Sequence, residues 1–430
     1  MKRKLEQQLI SWKKSKDRMP LIISGARQVG KTWLLETFAR ENYQNYLKVS
    51  LDINSRVAAY FEESISPQQI ISLLEAEYRM QIIPGQTLII LDEIQASESA
   101  LASLKHFSEG LPEHHIATAG SLLGVAVNRE KYSFPVGKVN TLHLYPMDFE
   151  EYLWAMGDDL LASEIRAAFQ TLKPLNEGLH RKALERLKEY YLVGGMPAVV
   201  KRYNEGFRML DIPELQNEIV SHYLADMAKY ASTSDTVKIR ACYNSLPTQL
   251  AKQNTKFQYK LVRKGATASR FDSAIEWLDL AGVTLKSAKT TQGLQPLTTH
   301  LDSSSFKLYM ADTGLLSMMS GVRQSDVLGD TAHSFKGALA ENYVAQQLAA
   351  QGHRLYYWAS ASMAELDFVL QTQAGITAIE VKSGENTRSK SLASFVQRYQ
   401  PERAIRLSTK PFGAGGAMMA VPLYAAFCIV

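Results

Sequence analysis

Thirteen residues near the start of the chain, Leu21 to Trp33 (LIISGARQVGKTW), constrain it more than any other stretch. Leu21, Ile22 and Ile23 have the apolar character of a buried strand, and WLLETFA after the loop has the pattern of a helix. Between them Gly25, Gly30, Lys31 and Thr32 fit G-x-x-x-x-G-K-[ST] without a mismatch. The spacing has a physical reason. Glycines let backbone N–H groups curl around a β-phosphate, which also lies at the positive end of the following helix. Lys31 supplies a point charge for the β- and γ-phosphates, and Thr32 offers a hydroxyl to Mg²⁺. The expected nucleotide contacts are therefore Gly25, Ala26, Arg27, Gln28, Val29, Gly30, Lys31, Thr32 and Trp33, with ATP and Mg²⁺ as cofactors.

The chain downstream supplies partners for such a loop. YLKVSLDI (46–53) alternates like a strand, and TLIILDEIQ (87–95) reads as a buried parallel strand ending in two acids. Ligands of open parallel sheets bind at that end. Asp92 is the candidate for the Mg²⁺ shell and Glu93 for polarising the attacking water. A third strand, HIATAGS (115–121), offers Ser121, with Thr118 behind it, to the γ-phosphate or the water. Arg129 and Lys138 are the nearest basic candidates for an arginine finger. Asp148 is placed to cap an exit helix at the end of this core.

At 430 residues the chain is too long for one ordinary core. Its two cysteines, Cys242 and Cys428, suggest neither a disulfide framework nor a zinc site and fit a reducing compartment. No apolar run approaches membrane-spanning length, and the basic N-terminus lacks the apolar stretch of a secretory signal. The expectation is a cytoplasmic protein without a membrane partner. Residues 156–235 read as helical, broken by GGMP (194–197). Thr236 to Phe271 then carries eight Lys and Arg residues and no Asp or Glu. Helices followed by strands there suggest a winged helix-turn-helix with DNA as partner, and a protein-docking module is the open alternative.

The last hundred residues hold a second constellation. A helix presents Glu341, the strand ELDFVL presents Asp367, and the strand ITAIEVKSG presents Glu380 and Lys382 on one face. Carboxylates and a lysine meeting at strand ends suit a divalent cation and an attacking water near a phosphodiester. Glu341, Asp367 and Glu380 are the candidate ligands, and Asp367, Glu380 and Lys382 the candidate catalytic set.

GARQVGKT, LDEIQ, TAGSLLG, FPVGKV, LYPMDFEEYL, GGMP, FKLYMADTGLL and the final AELDFV and IEVKSG together resemble a family of bacterial and archaeal AAA-type ATPases. In that family an ATP-binding core precedes a C-terminal region of unassigned function, and the tail here is similar to the restriction-endonuclease-like fold of PD-(D/E)xK nucleases. Residue patterns and resemblance together lead to the expectation of an α/β chain in four parts. These are a parallel-sheet AAA-type core (1–155), a helical lid (156–235), a winged helix (236–330) and a nuclease-like α/β domain (331–430). The basic span and the C-terminal residues, taken with the phosphate loop, set the expectation of ATP hydrolysis coupled to DNA binding or processing, with self-association left open. The alternative is an ATP-dependent switch gating protein contacts through an inactive nuclease-like docking domain.

Overall fold

Strand burial follows the apolar runs. A computed structural model describes residues 1–430 apart from 64–65, 121–134, 253–255, 330–333, 361–363, 385–389 and 416–417. The chain divides into two compact units, residues 2–145 with 280–282, and residues 146–279 with 283–430.

In the first unit five strands form one sheet: β1 (Leu21–Ser24), β2 (Asn45–Ser50), β3 (Thr87–Asp92), β4 (His115–Ala119) and β5 (Asn140–His143). Their spatial order is β2-β3-β4-β1-β5, and every pairing is parallel. Parallel strands need crossover connections, and the helices Lys31–Asn42 and Glu98–Gly110 provide two of them. β1, β3 and β4 are buried at every position, as central strands covered on both faces must be. One face packs Ile22, Ile89, Leu91 and Ile116 against Leu104 and Phe107. The phosphate loop leaves β1, and Asp92 ends β3, at the same C-terminal edge of the sheet.

The second unit begins with a helix, Phe149–Ala155, whose Asp148 cap the sequence indicates. Asp148 Oδ1 accepts from the Glu151 N–H at 2.9 Å and Glu151 Oε2 accepts from the Asp148 N–H at 3.2 Å, a reciprocal capping box. Longer helices follow, including Glu177–Val193, Ile212–Tyr230 and Thr233–Leu250. No helix among the described residues is long and apolar enough to cross a membrane.

The strands after the basic helices depart from expectation. β6 (Thr284–Thr290) and β7 (Leu301–Met310) do pair as an antiparallel hairpin. They do not stand alone as a wing. β8 (Tyr356–Ala359), β9 (Glu365–Thr372), β10 (Gly375–Val381), β11 (Arg403–Ser408), β12 (Gly413–Gly415) and β13 (Met418–Pro422) join them in one eight-stranded sheet. Its order is β12-β13-β11-β10-β9-β8-β6-β7, with β6 lying parallel to β8. A boundary near residue 330 is therefore crossed by a continuous sheet. The reason is edge pairing: β6 offers its free side to β8, and the hairpin gains ladder hydrogen bonds that an isolated wing would lack.

GGMP and FKLYMADTGLL meet through one buried acid. Asp312 accepts the Gly195 N–H at 2.6 Å and caps the helix Thr313–Ser320 by accepting the Leu315 N–H at 2.9 Å. Burial pushes its carboxyl up to about 6, partly opposed by these donors. A Cβ on Gly195 would overlap the Met147 backbone, which explains the second glycine of GGMP.

Candidate nucleotide site and carboxylate cluster

The phosphate loop has the backbone its glycines predict. Gly25 (φ 144°), Gln28 (φ 65°) and Gly30 (φ 92°) all take positive φ, and the helix Lys31–Asn42 starts directly after. A Cβ on Gly25 would overlap the Leu144 carbonyl, so the loop is seated hard against the chain leaving β5. Lys31 Nζ donates to the Gly25 and Ala26 carbonyls at 3.0 and 2.8 Å, which holds the ammonium over the loop. Trp33, in the first turn of the helix, is exposed.

Thr32 and Asp92 meet although they lie 60 residues apart: Thr32 Oγ1 donates to Asp92 Oδ1 at 2.9 Å. A hydroxyl and a carboxylate oxygen side by side are the ligand types that Mg²⁺ takes beside a nucleotide. Burial raises Asp92 above the ordinary carboxylate range, and the Thr32 hydrogen bond opposes this. Lys48 stands 4.0 Å from the other Asp92 oxygen and pairs with Glu36 at 2.5 Å. Glu93 holds a left-handed backbone (φ 50°), rare for a non-glycine residue and common where side chains are aimed for function. Its carboxylate accepts from the Gln95 amide.

Thr118 is wholly buried on β4, and its hydroxyl has no hydrogen-bond partner among the described residues. Ser121 and Arg129 lie outside the described residues. Lys138 pairs with Glu109 at 2.9 Å. Two residues near the loop carried no motif. His143 on β5 shares a 3.0 Å hydrogen bond with Ser24, its register partner on β1, and burial lowers it to about 4, helped by Lys31. Arg3 reaches the loop from the N-terminal segment, donating to the Val29 and Tyr145 carbonyls.

In the second unit the C-terminal carboxylates do come together. Ile379 lies opposite Phe368, which sets Glu380 beside Asp367 across β9 and β10. Asp367 Oδ2 accepts the Val381 N–H at 2.7 Å, and Lys382 Nζ lies 2.7 Å from Glu380 Oε1. Glu380 is buried, with Oε2 left without a hydrogen-bond partner among the described residues. Burial raises Asp367 strongly, and the Glu341 charge adds to this.

The structure adds members that spacing did not reveal. Lys307, on β7 and fully buried, sits 2.9 Å from Glu341 Oε1 and 2.6 Å from Glu365 Oε1. Tyr309 donates to the same Glu341 oxygen at 2.6 Å. Burial by itself would lower the Lys307 ammonium, but Glu341, Asp367 and Glu365 together hold it above its ordinary value. Glu341 is thus taken up by a lysine and a tyrosine from the strand expected to form a wing. Among the described residues no group of three or more His, Cys, Asp or Glu side chains is placed to hold a metal ion. The only sequence signal was alternation, since Lys307 and Tyr309 share a face of FKLYM.

Residues 17–153 match the model of a family described as an AAA domain. Residues 184–326 and 336–425 match two families described as domains of unknown function, DUF8612 and DUF4143. No curated protein matches the chain. Among solved structures it is similar to the Walker-type ATPase PABY2304 of Pyrococcus abyssi. That pair shares 15% identity over 74% of this chain and 95% of the other, at a TM-score of 0.45. It is also similar to Orc1 of Aeropyrum pernix, solved in complex with DNA, at 12% identity over 74% and 90% of the two chains and a TM-score of 0.28. Cdc6p of Pyrobaculum aerophilum is 11% identical over 77% and 96%, also at 0.28. Likenesses this slight carry no argument about function. The AAA domain match coincides with the loop and sheet described above, and this part of the chain is an AAA-type P-loop ATPase domain with ATP hydrolase activity.

Proposed function

We propose that Mg²⁺-dependent ATP hydrolysis in the first unit drives nucleic-acid binding by the second. The observation that carries the first half is the Thr32–Asp92 hydrogen bond at the mouth of the phosphate loop, with Lys31 held over the loop. Thr32 and Asp92 are the residues to hold Mg²⁺, and Lys31 with the loop N–H groups offsets charge developing on the phosphates. Glu93 orients the attacking water and takes its proton at a carboxylate oxygen. Ser121 remains a candidate for the γ-phosphate.

Support for the second half comes from the helices Tyr259–Val262 and Ala268–Leu280 and the turn between them. Lys260, Arg263, Lys264 and Arg270 are all exposed there, and none of them forms an ion pair among the described residues. Unneutralised cations of one sign on a helix-turn-helix pair suit a phosphate backbone. The tail reads as a nuclease-like domain because Asp367, Glu380 and Lys382 converge at adjacent strands beside Glu341. A second reading, with this domain serving for docking in an ATP-gated switch, is favoured by Lys307, whose ammonium already neutralises Glu341.

DNA-stimulated ATPase measurement tests the coupling. Stimulation that falls steeply with salt and disappears in Arg263→Ala/Lys264→Ala supports it. ATP turnover indifferent to DNA, with no DNA binding at physiological salt, points to the docking reading. Cleavage of DNA with Mg²⁺ or Mn²⁺, abolished by Asp367→Ala, assigns a nuclease, and no cleavage under either metal leaves only the resemblance. Self-association is read directly from the mass of the chain with and without ATP.

A further inference from the structure

The basic N-terminal segment carries no chemical motif, and Arg3 lies ahead of the residues that match the AAA domain. Its side chain is nevertheless buried, with only 4% of the residue exposed. A buried guanidinium is costly unless hydrogen bonds compensate it. Arg3 Nη1 donates to the Val29 carbonyl at 2.9 Å and Nη2 donates to the Tyr145 carbonyl at 2.6 Å. One planar fork therefore bridges the phosphate loop and the chain that follows β5.

The two carbonyls explain what this bridge fixes. Val29 is fully buried and stands directly before Gly30, the residue preceding the helix Lys31–Asn42. Its peptide plane orients the Gly30 N–H, one of the donors a phosphate would meet, so tethering the Val29 oxygen aims that N–H. Leu144 donates its N–H to Ser24 at 2.8 Å and lies against Gly25. The β5 exit is thus a fixed wall, and Arg3 ties the far side of the loop to it. The guanidinium also adds a full positive charge behind a loop that must hold three to four negative charges of ATP.

We infer that Arg3 is a positioning residue of the nucleotide site, setting the phosphate loop through Val29 and Tyr145 without touching substrate. This rests on the reading of the loop as the ATP site. A fork that pre-sets a binding loop acts mainly on affinity, because the loop would otherwise pay ordering entropy on each binding event.

The test uses the full chain and a fluorescent ATP analogue, alongside steady-state hydrolysis. Arg3→Ala should raise the dissociation constant and KM by about tenfold or more while kcat changes by less than about threefold. Arg3→Lys should fall between, because one ammonium lacks the planar fork that reaches two carbonyls. Unchanged affinity in Arg3→Ala, or a loss confined to kcat, overturns the inference. If Arg3→Ala does not fold, Arg3→Lys decides by the same split between KM and kcat. A wild-type chain that binds no ATP overturns the function itself, whereas wild-type binding matched by Arg3→Ala overturns only this role.

Discussion

The phosphate loop and the C-terminal cluster each set a lysine among oxygens, but they build the arrangement in opposite ways. Lys31 is anchored by carbonyls five and six residues away, on a loop whose shape its own glycines fix. Lys307 meets Glu341 and Glu365 across gaps of 34 and 58 residues, on three separate elements. The first lysine is held by neutral backbone carbonyls of its own loop. The second is buried and its charge is already matched within the chain. Contiguous backbone makes a site that waits for a ligand, whereas convergent side chains have here largely satisfied one another.

Breaking the internal match should have the largest effect. Lys307→Met leaves the half-buried Glu341 and Glu365 without their counter-charge beside Asp367, and should cost about 3–5 kcal/mol in urea unfolding. A loss under about 1 kcal/mol would mean that the cluster is solvated and not self-neutralised. ATP affinity should stay unchanged in this variant.

The nucleotide end has its own half-buried group that responds to solution conditions. His143 is lowered from 6.5 to about 4. Between those values the unfolded chain takes up a proton that the folded chain refuses, so stability is present above pH 6.5 and falls as the pH drops towards 4. The window is worth about 3 kcal/mol at most. His143→Gln should flatten this dependence when urea midpoints at pH 7 and pH 4.5 are compared. An equally steep loss in the variant would assign it to other groups.

Glu93→Gln sharpens the contrast from the side of chemistry. ATP binding should persist while hydrolysis slows by about two orders of magnitude, roughly 2.7 kcal/mol of barrier. Full turnover in the variant removes the water-orienting role. The smallest effect belongs to the exposed cations. Arg263→Ala should weaken DNA binding modestly and lower the salt slope by about one. An unaltered slope would take this residue off the DNA path.

How much was legible followed the same division. The loop, the acids ending β3, the Asp148 cap and the facing of Glu380 with Lys382 rest on repeats of two to five residues, which a sequence displays openly. The union of β6 and β7 with the C-terminal sheet does not, because strand edges carry no label for their partner. Reading the hairpin as a wing hid Lys307 and Tyr309 from the cluster they enter. Arg3 was hidden for a related reason, since its partners are backbone carbonyls with no residue identity to read.

By itself the sequence determined a phosphate cradle, an acidic strand end beside it, and three polar groups on neighbouring strands near the C-terminus. Those features depend on backbone geometry and side-chain alternation over a few residues, which local sequence dictates. Only the tertiary structure decided that Asp92 meets Thr32, that Arg3 holds the loop, and that Lys307 lies among the carboxylates. Each of those is a contact between distant segments, chosen by burial and charge compensation in the folded state and invisible before the chain has folded.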